Sequence, residues 1–206
     1  MNQEMILIIV PITYLIGSIP VGLIIGKLKS GIDIRKHGSQ STGATNALRI
    51  LGTKSAILVL ILDFLKGAIP IFYIMRIDEI NSNNAPLIAI SGIAIIIGHN
   101  WPIFAGFKGG KGVASAVGIA SVLNPISALA AILTFLPILL TTRYVSLGSI
   151  LGAIVAMIIL VVQSISIIND YNYIYALVVG PLLVIKHHEN IHRLLNGNER
   201  KFGEKE

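Results

Sequence analysis

The chain has 206 residues, 54% of them apolar and only 13% charged, with a net charge of +6 and no cysteine. Soluble domains carry about 25% charged residues, so the composition excludes an ordinary soluble domain and points to a membrane protein. The absence of cysteine excludes disulfides and thiolate metal sites, and the positive balance reads first as a loop bias that sets orientation, not as a nucleic-acid footprint.

The opening stretch MNQEMILIIV lacks a basic region and a small-residue cleavage site, so it reads as the start of a retained span over 5–26. A helix needs about 20 apolar residues to cross the hydrocarbon core. By that measure 55–75, 85–105, 146–168 and 171–187 are further spans. Region 112–141 is longer than one crossing needs and is interrupted by the turn signal Asn124-Pro125. It reads either as one kinked helix or as two spans, 112–123 and 126–141. Parity favours two. With seven spans, 14 of the 16 Lys and Arg fall on one side, leaving Lys66 inside the second span and Arg76 opposite, among Glu4, Asp78, Glu79 and Asp170. The positive-inside rule then puts the N-terminus outside and the C-terminus in the cytoplasm. The expected fold is an all-α polytopic membrane protein of seven transmembrane helices, a single domain over 1–206.

Seven spans bring four polar segments to one surface. The first, RKHGSQSTGATNALR, offers Ser39, Ser41, Thr42, Thr45 and Asn46 between Arg35 and Arg49. Small hydroxyls, free amides and a guanidinium fork suit phosphate or a polyol, and they equally suit a solvated helix cap. The second is GHNWPIFAGFKGGKG. Gly109, Gly110 and Gly112 allow close backbone approach, a helix starts directly after them, and Lys108 and Lys111 add charge. That combination suits an anion. It is not a nucleotide P-loop: position 105 is Ala105 where that pattern has glycine, and Gly112 stands where it has Ser or Thr. The third, HHENIHRLLNGNERK, places His187 and Asn190 on one helical face. Its histidines do not reproduce a zinc signature, so no metal is expected. The fourth is TRYVSLGS. Within the second span, Asp63 and Lys66 sit three apart and are expected to pair. Gly17, Gly92 and Gly118 are expected to serve helix packing.

Together the pieces GS....GATNALR, GHNWPIFAGFKGGKG, RYVSLGS and HHENIHRLLNGNE resemble the motifs of the bacterial acyl-phosphate:glycerol-3-phosphate acyltransferase (PlsY) family, in order and over essentially the whole chain. Gln40 and Ser41 stand where the family pattern has Gly-Asn, so the loop geometry there is expected to differ. The resemblance implies acyl transfer from acyl phosphate to the 1-hydroxyl of sn-glycerol 3-phosphate at the cytoplasmic face of a bacterial inner membrane, without a cofactor. It implies membrane lipid as the surroundings, no nucleic-acid partner, and a functional link to the soluble enzyme that makes acyl phosphate. It further implies that Ser39, Asn46 and Arg49 bind substrate and that Lys108 lies close to both substrates. Lys111 with the amides of Gly109, Gly110 and Gly112 would form an anion cradle. Ser146 would contact acyl phosphate, His187 and Asn190 would line the catalytic centre, and Glu199 would be structural. No histidine is followed five positions on by aspartate, so the His–Asp dyad of another acyltransferase class is absent. A small anion transporter would place its polar groups at the midplane. A CDP-alcohol phosphotransferase would need several intramembrane aspartates, and here only Asp63 lies well inside a span.

Overall fold

The computed structural model describes residues 3–78, 85–166 and 171–204, and within them the secondary structure is wholly helical. Glu79 and Asp170, counted above in the charge balance, and the last residues expected in span 146–168 lie outside the described residues. Helices α1 (Gln3–Gly17) and α2 (Val21–Ser30) form the first apolar rod. They divide at Ser18-Ile19-Pro20, because Pro20 has no N–H to donate into the preceding turn. At this break the Ile19 carbonyl accepts from the Val21 amide and from Lys66 Nζ, each at 3.0 Å. The expected span 5–26 is therefore two consecutive helices, and the second runs on to Ser30.

Residues 31–52 are not an open loop. A 3₁₀ turn at Ile34–Lys36 leads to helix α3 (Ala44–Leu51), whose buried face joins Val21, Ile34, Ala56 and Val59 in a small core. Lys29 Nζ caps the last turn of α3 through the Leu51 carbonyl at 2.7 Å. Then come α4 (Thr53–Asp78), α5 (Ala85–Asn100), α6 (Val113–Leu123), α7 (Pro125–Thr142), α8 (Val145–Ile165), α9 (Asn172–Ile185) and α10 (His188–Leu195). Region 112–141 is two helices and not one kinked helix. Asn124 ends α6 and caps α7, its Oδ1 accepting from the Ser127 amide at 3.0 Å.

Among the described residues five segments are long and apolar enough to cross a membrane: Glu4–Ser30, Thr53–Ile77, Pro86–Ala105, Pro125–Thr142 and Val145–Ile165. Helices α6 and α9 are apolar but shorter. Leu7, Leu28, Leu133, Leu140, Val162 and Ile165 stand exposed on the outside, as a lipid-facing surface requires. Inside, α4 and α6 cross in close contact: a Cβ at Gly118 would meet the Phe64 carbonyl, and one at Gly67 the backbone of Ser115. Gly17 is likewise pressed on the Ile95 backbone and Gly92 on the Tyr175 ring. These are the small-residue contacts that let helices associate where lipid supplies no hydrophobic drive.

Asp63 and Lys66 pair at 2.8 Å, with both side chains buried. The pair is part of a larger cluster. Ser115 Oγ donates to the Asp63 carbonyl at 2.8 Å and lies 3.2 Å from His99 Nδ1, which is 3.8 Å from the Asp63 carboxylate. His99 is the penultimate residue of α5, and the glycine-lysine segment folds back onto it. The cluster therefore seats that segment from below.

Candidate active site

The four polar segments meet at one end of the bundle. Asn46, only 1% exposed, organises the first. Its Nδ2 donates to the carbonyls of Ile34 (2.8 Å), Ser41 (2.9 Å) and His37 (3.2 Å), and its Oδ1 accepts from the Ser39 amide at 2.9 Å. Every polar position of this carboxamide is thus committed to its own loop. Asn46 thereby fixes the backbone at Ser39. Arg35 ties this loop to the second segment: it pairs with Asp33 at 2.7 Å and donates to the Ala105 carbonyl at 2.5 Å. The hydrogen bond from Arg35 holds the Asp33 carboxyl down at about 2 against a smaller opposing effect of burial.

In the second segment the expected cradle of consecutive free amides is incomplete. The Gly110 amide donates to the His99 carbonyl at 3.1 Å, because the chain doubles back on the end of α5. Glycine at 109 and 110 is required by that approach, since a Cβ at either would strike His99. Gly112, at φ 86°, turns the chain into α6. Lys108 is exposed, and its side chain does not line the cleft described below. Lys111 donates to Asn190 Oδ1. Burial, more than the neighbouring charges, lowers its ammonium to about 8.

Glu199 is the hub of the site. It is 9% exposed and comes from the coil after α10. Its Oε1 accepts from Asn190 Nδ2 at 2.7 Å and Ser146 Oγ at 2.9 Å, and its Oε2 accepts from Arg193 Nε at 2.8 Å. Burial alone would raise this carboxyl, but the hydrogen bonds from Arg193, Asn190 and Ser146 outweigh it and hold the group below its usual range. The coil is fastened by a reciprocal bond. The Phe202 amide donates to the Arg143 carbonyl at 2.7 Å, and Arg143 NH2 returns a bond to the Phe202 carbonyl at 2.8 Å. A chain Lys111–Asn190–Glu199–Ser146 therefore joins the second, third and fourth segments.

His187 is buried, with Nδ1 2.8 Å from the Leu183 carbonyl. A carbonyl only accepts, so Nδ1 carries the proton and Nε2 the lone pair. Burial first, and then the charge of Lys111, lowers the imidazole to about 4, so it is neutral at pH 7.

Beside this chain lies an open cleft of about 390 Å³ lined by Gly38, Ser39, Gln40, Arg49, Glu189, Arg193, Glu199 and Arg200. Burial lowers Arg49, and the neighbouring Arg200 lowers it further. Three guanidiniums and two carboxylates line this cleft, with Arg193 paired to Glu199 at 2.8 Å and to Glu189 at 3.6 Å, so the lining keeps a positive excess that suits an anion. The structure thus brings Ser39 and Arg49 together with Lys111, Ser146 and Asn190, with Lys108 at the periphery. Sequence reasoning missed Arg193 and Arg200 and the central place of Glu199. One signal was available: Arg193 stands three after Asn190 and four after Glu189, hence on the same helical face.

Comparison with known proteins bears on this arrangement. Residues 7–197 match the family model for glycerol-3-phosphate acyltransferase. A glycerol-3-phosphate acyltransferase of Aquifex aeolicus is 44% identical over 197 residues, covering 95% of this chain and 98% of the relative. One from Alkaliphilus metalliredigens is 43% identical, covering 97% of each. Among solved structures, the glycerol 3-phosphate form of PlsY (YgiH), an integral membrane glycerol 3-phosphate acyltransferase, superposes with a TM-score of 0.85 at 43% identity and covers 96% of each chain. The lysophosphatidic acid form of PlsY superposes with a TM-score of 0.82, covering 96% of this chain and 95% of that one. A membrane bundle whose four polar segments meet at one end, beside an arginine-lined cleft, thus meets relatives matched along nearly its full length, and the chain belongs to the glycerol-3-phosphate acyltransferase family, as an integral membrane acyltransferase of phospholipid synthesis.

Proposed function

We propose that the chain moves an acyl group from acyl phosphate to the 1-hydroxyl of sn-glycerol 3-phosphate, giving 1-acylglycerol 3-phosphate and inorganic phosphate. The observation that carries this reading is the adjacency of two cationic places. One is the cleft of Arg49, Arg193 and Arg200; the other is Lys111, bonded to Asn190 beside it. Two phosphorylated substrates need two such places in reach of each other. The acyl chain of one of them needs the apolar surroundings that the lipid-facing helices provide.

The hydroxyl oxygen attacks the acyl carbonyl carbon, the carbon–oxygen bond to phosphate breaks, and phosphate leaves with the electron pair. Acyl phosphate is already activated, so the protein contributes chiefly position and charge stabilisation. Ser39 and Arg49 orient the acceptor phosphate, with Lys108 closing over both substrates from the periphery. Lys111, the free amides of Gly109 and Gly112, Ser146 and Asn190 hold the donor. The hydroxyl proton goes to a substrate phosphate oxygen. An imidazole lowered to about 4 is a weak base, whereas a phosphate monoester has its second pKa near 6. The pH–rate profile of His187→Ala against wild type tests this step: the rate falls and the profile keeps its shape. Loss of the acid limb would make His187 the base.

The same reading makes 1–206 one catalytic domain crossing a bacterial inner membrane seven times, with the site cytoplasmic and the N-terminus outside. The soluble enzyme that makes acyl phosphate would then work on the same side. Acyl-phosphate consumption by purified protein, with and without glycerol 3-phosphate and with Lys108→Ala as control, tests the reaction. Acyl phosphate loss that ignores the acceptor would refute it. The chain has no cysteine of its own, so single cysteines at Lys36 and Lys201 against one at Arg76 report sidedness through an impermeant thiol reagent. Equal labelling of all three from outside would refute the orientation.

A further inference from the structure

Gln40 holds the left-handed backbone conformation, φ 54°, in which glycine is favoured and an L side chain is disfavoured. It does so on a rigid support. Its own amide donates to the His37 carbonyl at 3.0 Å, and the preceding Ser39 amide is fixed by Asn46. The next residue keeps the turn by a side-chain bond, Ser41 Oγ accepting from the Gly43 amide at 3.2 Å. The backbone is thus shaped for glycine at 40, yet a long carboxamide stands there, exposed at the rim of the cleft it helps to line. A disfavoured conformation kept at a binding site motivates a functional reading.

The chemistry of the lining narrows that reading. Arg49, Arg193 and Arg200 only donate, and guanidinium forks match phosphate, although Arg193 is paired with Glu199 and Glu189. The two glutamates only accept. Among the lining residues, Ser39 and Gln40 alone carry uncharged polar side chains. A carboxamide donates and accepts at once, which suits a neutral alcohol. Resting on the acceptor substrate proposed above, we propose that Gln40 is a specificity-determining residue whose side chain hydrogen-bonds the secondary hydroxyl of glycerol 3-phosphate while the arginines hold its phosphate.

The probe is 3-hydroxypropyl phosphate, which keeps the phosphate and the primary hydroxyl and lacks only the secondary one. Wild type, Gln40→Ala and Gln40→Gly are compared in detergent micelles by KM in acyl transfer and by calorimetric Kd for each acceptor alone. One neutral hydrogen bond corresponds to about 3- to 10-fold in affinity. Both variants are expected to lose that preference for glycerol 3-phosphate, while 3-hydroxypropyl phosphate binds each within about twofold of wild type. Gln40→Gly also relaxes the backbone, so it separates side chain from strain and guards against misfolding of the alanine variant. An unchanged preference in both variants, or a preference restored in Gln40→Gly alone, overturns the proposal. Wild type that binds glycerol 3-phosphate with the stated preference yet forms no acylated product would overturn the proposed reaction and leave this inference standing.

Discussion

Replacing Glu199 should disable the site more thoroughly than replacing any residue around it. Glu199→Ala removes one carboxylate and strands three donors: Ser146 Oγ, Asn190 Nδ2 and Arg193 Nε, now at 2.7–2.9 Å from it. Ser146 and Asn190 are buried, and an unsatisfied buried donor costs about 1–3 kcal/mol. The Arg193 side chain is 35% exposed, so water takes over part of its bonding and the lost ion pair adds less than a buried one would. The expected loss is about 2–4 kcal/mol, read as a fall of order 10 °C in thermal unfolding in detergent. Asn190 also loses its orientation toward Lys111, and misplacement of about 1 Å is enough to cost about 100-fold in turnover. Glu199→Gln keeps an acceptor for Ser146 and Asn190 but turns an amide on Arg193, and should fall between. A pH readout separates positioning from mere stability. The Glu199 charge raises Lys111, so Glu199→Gln should move the alkaline fall of kcat/KM to lower pH. Wild-type unfolding temperature and an unmoved alkaline limb in both variants would refute the hub.

The Lys111 ammonium, lowered to about 8 by burial, discharges as pH rises past that value. Wild-type kcat/KM should therefore fall above about pH 8 and Lys111→Arg should remove that fall, measured as a pH–rate profile. His187 titrates at about 4 in the folded chain against 6.5 unfolded, so between those values the unfolded state binds the extra proton. Stability should decline by up to about 3 kcal/mol as pH drops through that window, and His187→Ala should flatten the decline in thermal unfolding scans. Asp63→Asn strands a buried Lys66 and should cost about 3–5 kcal/mol, while the double variant Asp63→Asn/Lys66→Met should recover most of it. Equal unfolding temperatures for the single and double variants would show that the pair is not coupled.

The gross plan was legible because the bilayer makes it so. Apolar runs and the Asn124-Pro125 break are consequences of solvent, and solvent acts on sequence locally. The pairing of Asp63 with Lys66 was legible for a related reason: helical spacing fixes neighbours three apart without any knowledge of the fold. His99 and Ser115, the other members of that cluster, come from two further elements and had no local signature.

The least legible feature was which polar group serves the ligand and which serves the chain. Asn46 and Asn190 are the same residue type in similar polar, lysine- and arginine-flanked segments. Asn46 spends its whole carboxamide on its own loop, whereas Asn190 reaches across 79 residues to Lys111 and nine to Glu199. The Gly110 amide shows the same ambiguity, since an N–H free in sequence is bound in the fold by His99. A buried polar group must find a partner, and sequence gives the capacity but not the partner. Glu199 follows from that rule. Three donors from two segments, Asn190 and Arg193 of the third and Ser146 of the fourth, need one acceptor where they meet. A glutamate on a coil fastened through Arg143 and Phe202 supplies it without committing any transmembrane helix to the task.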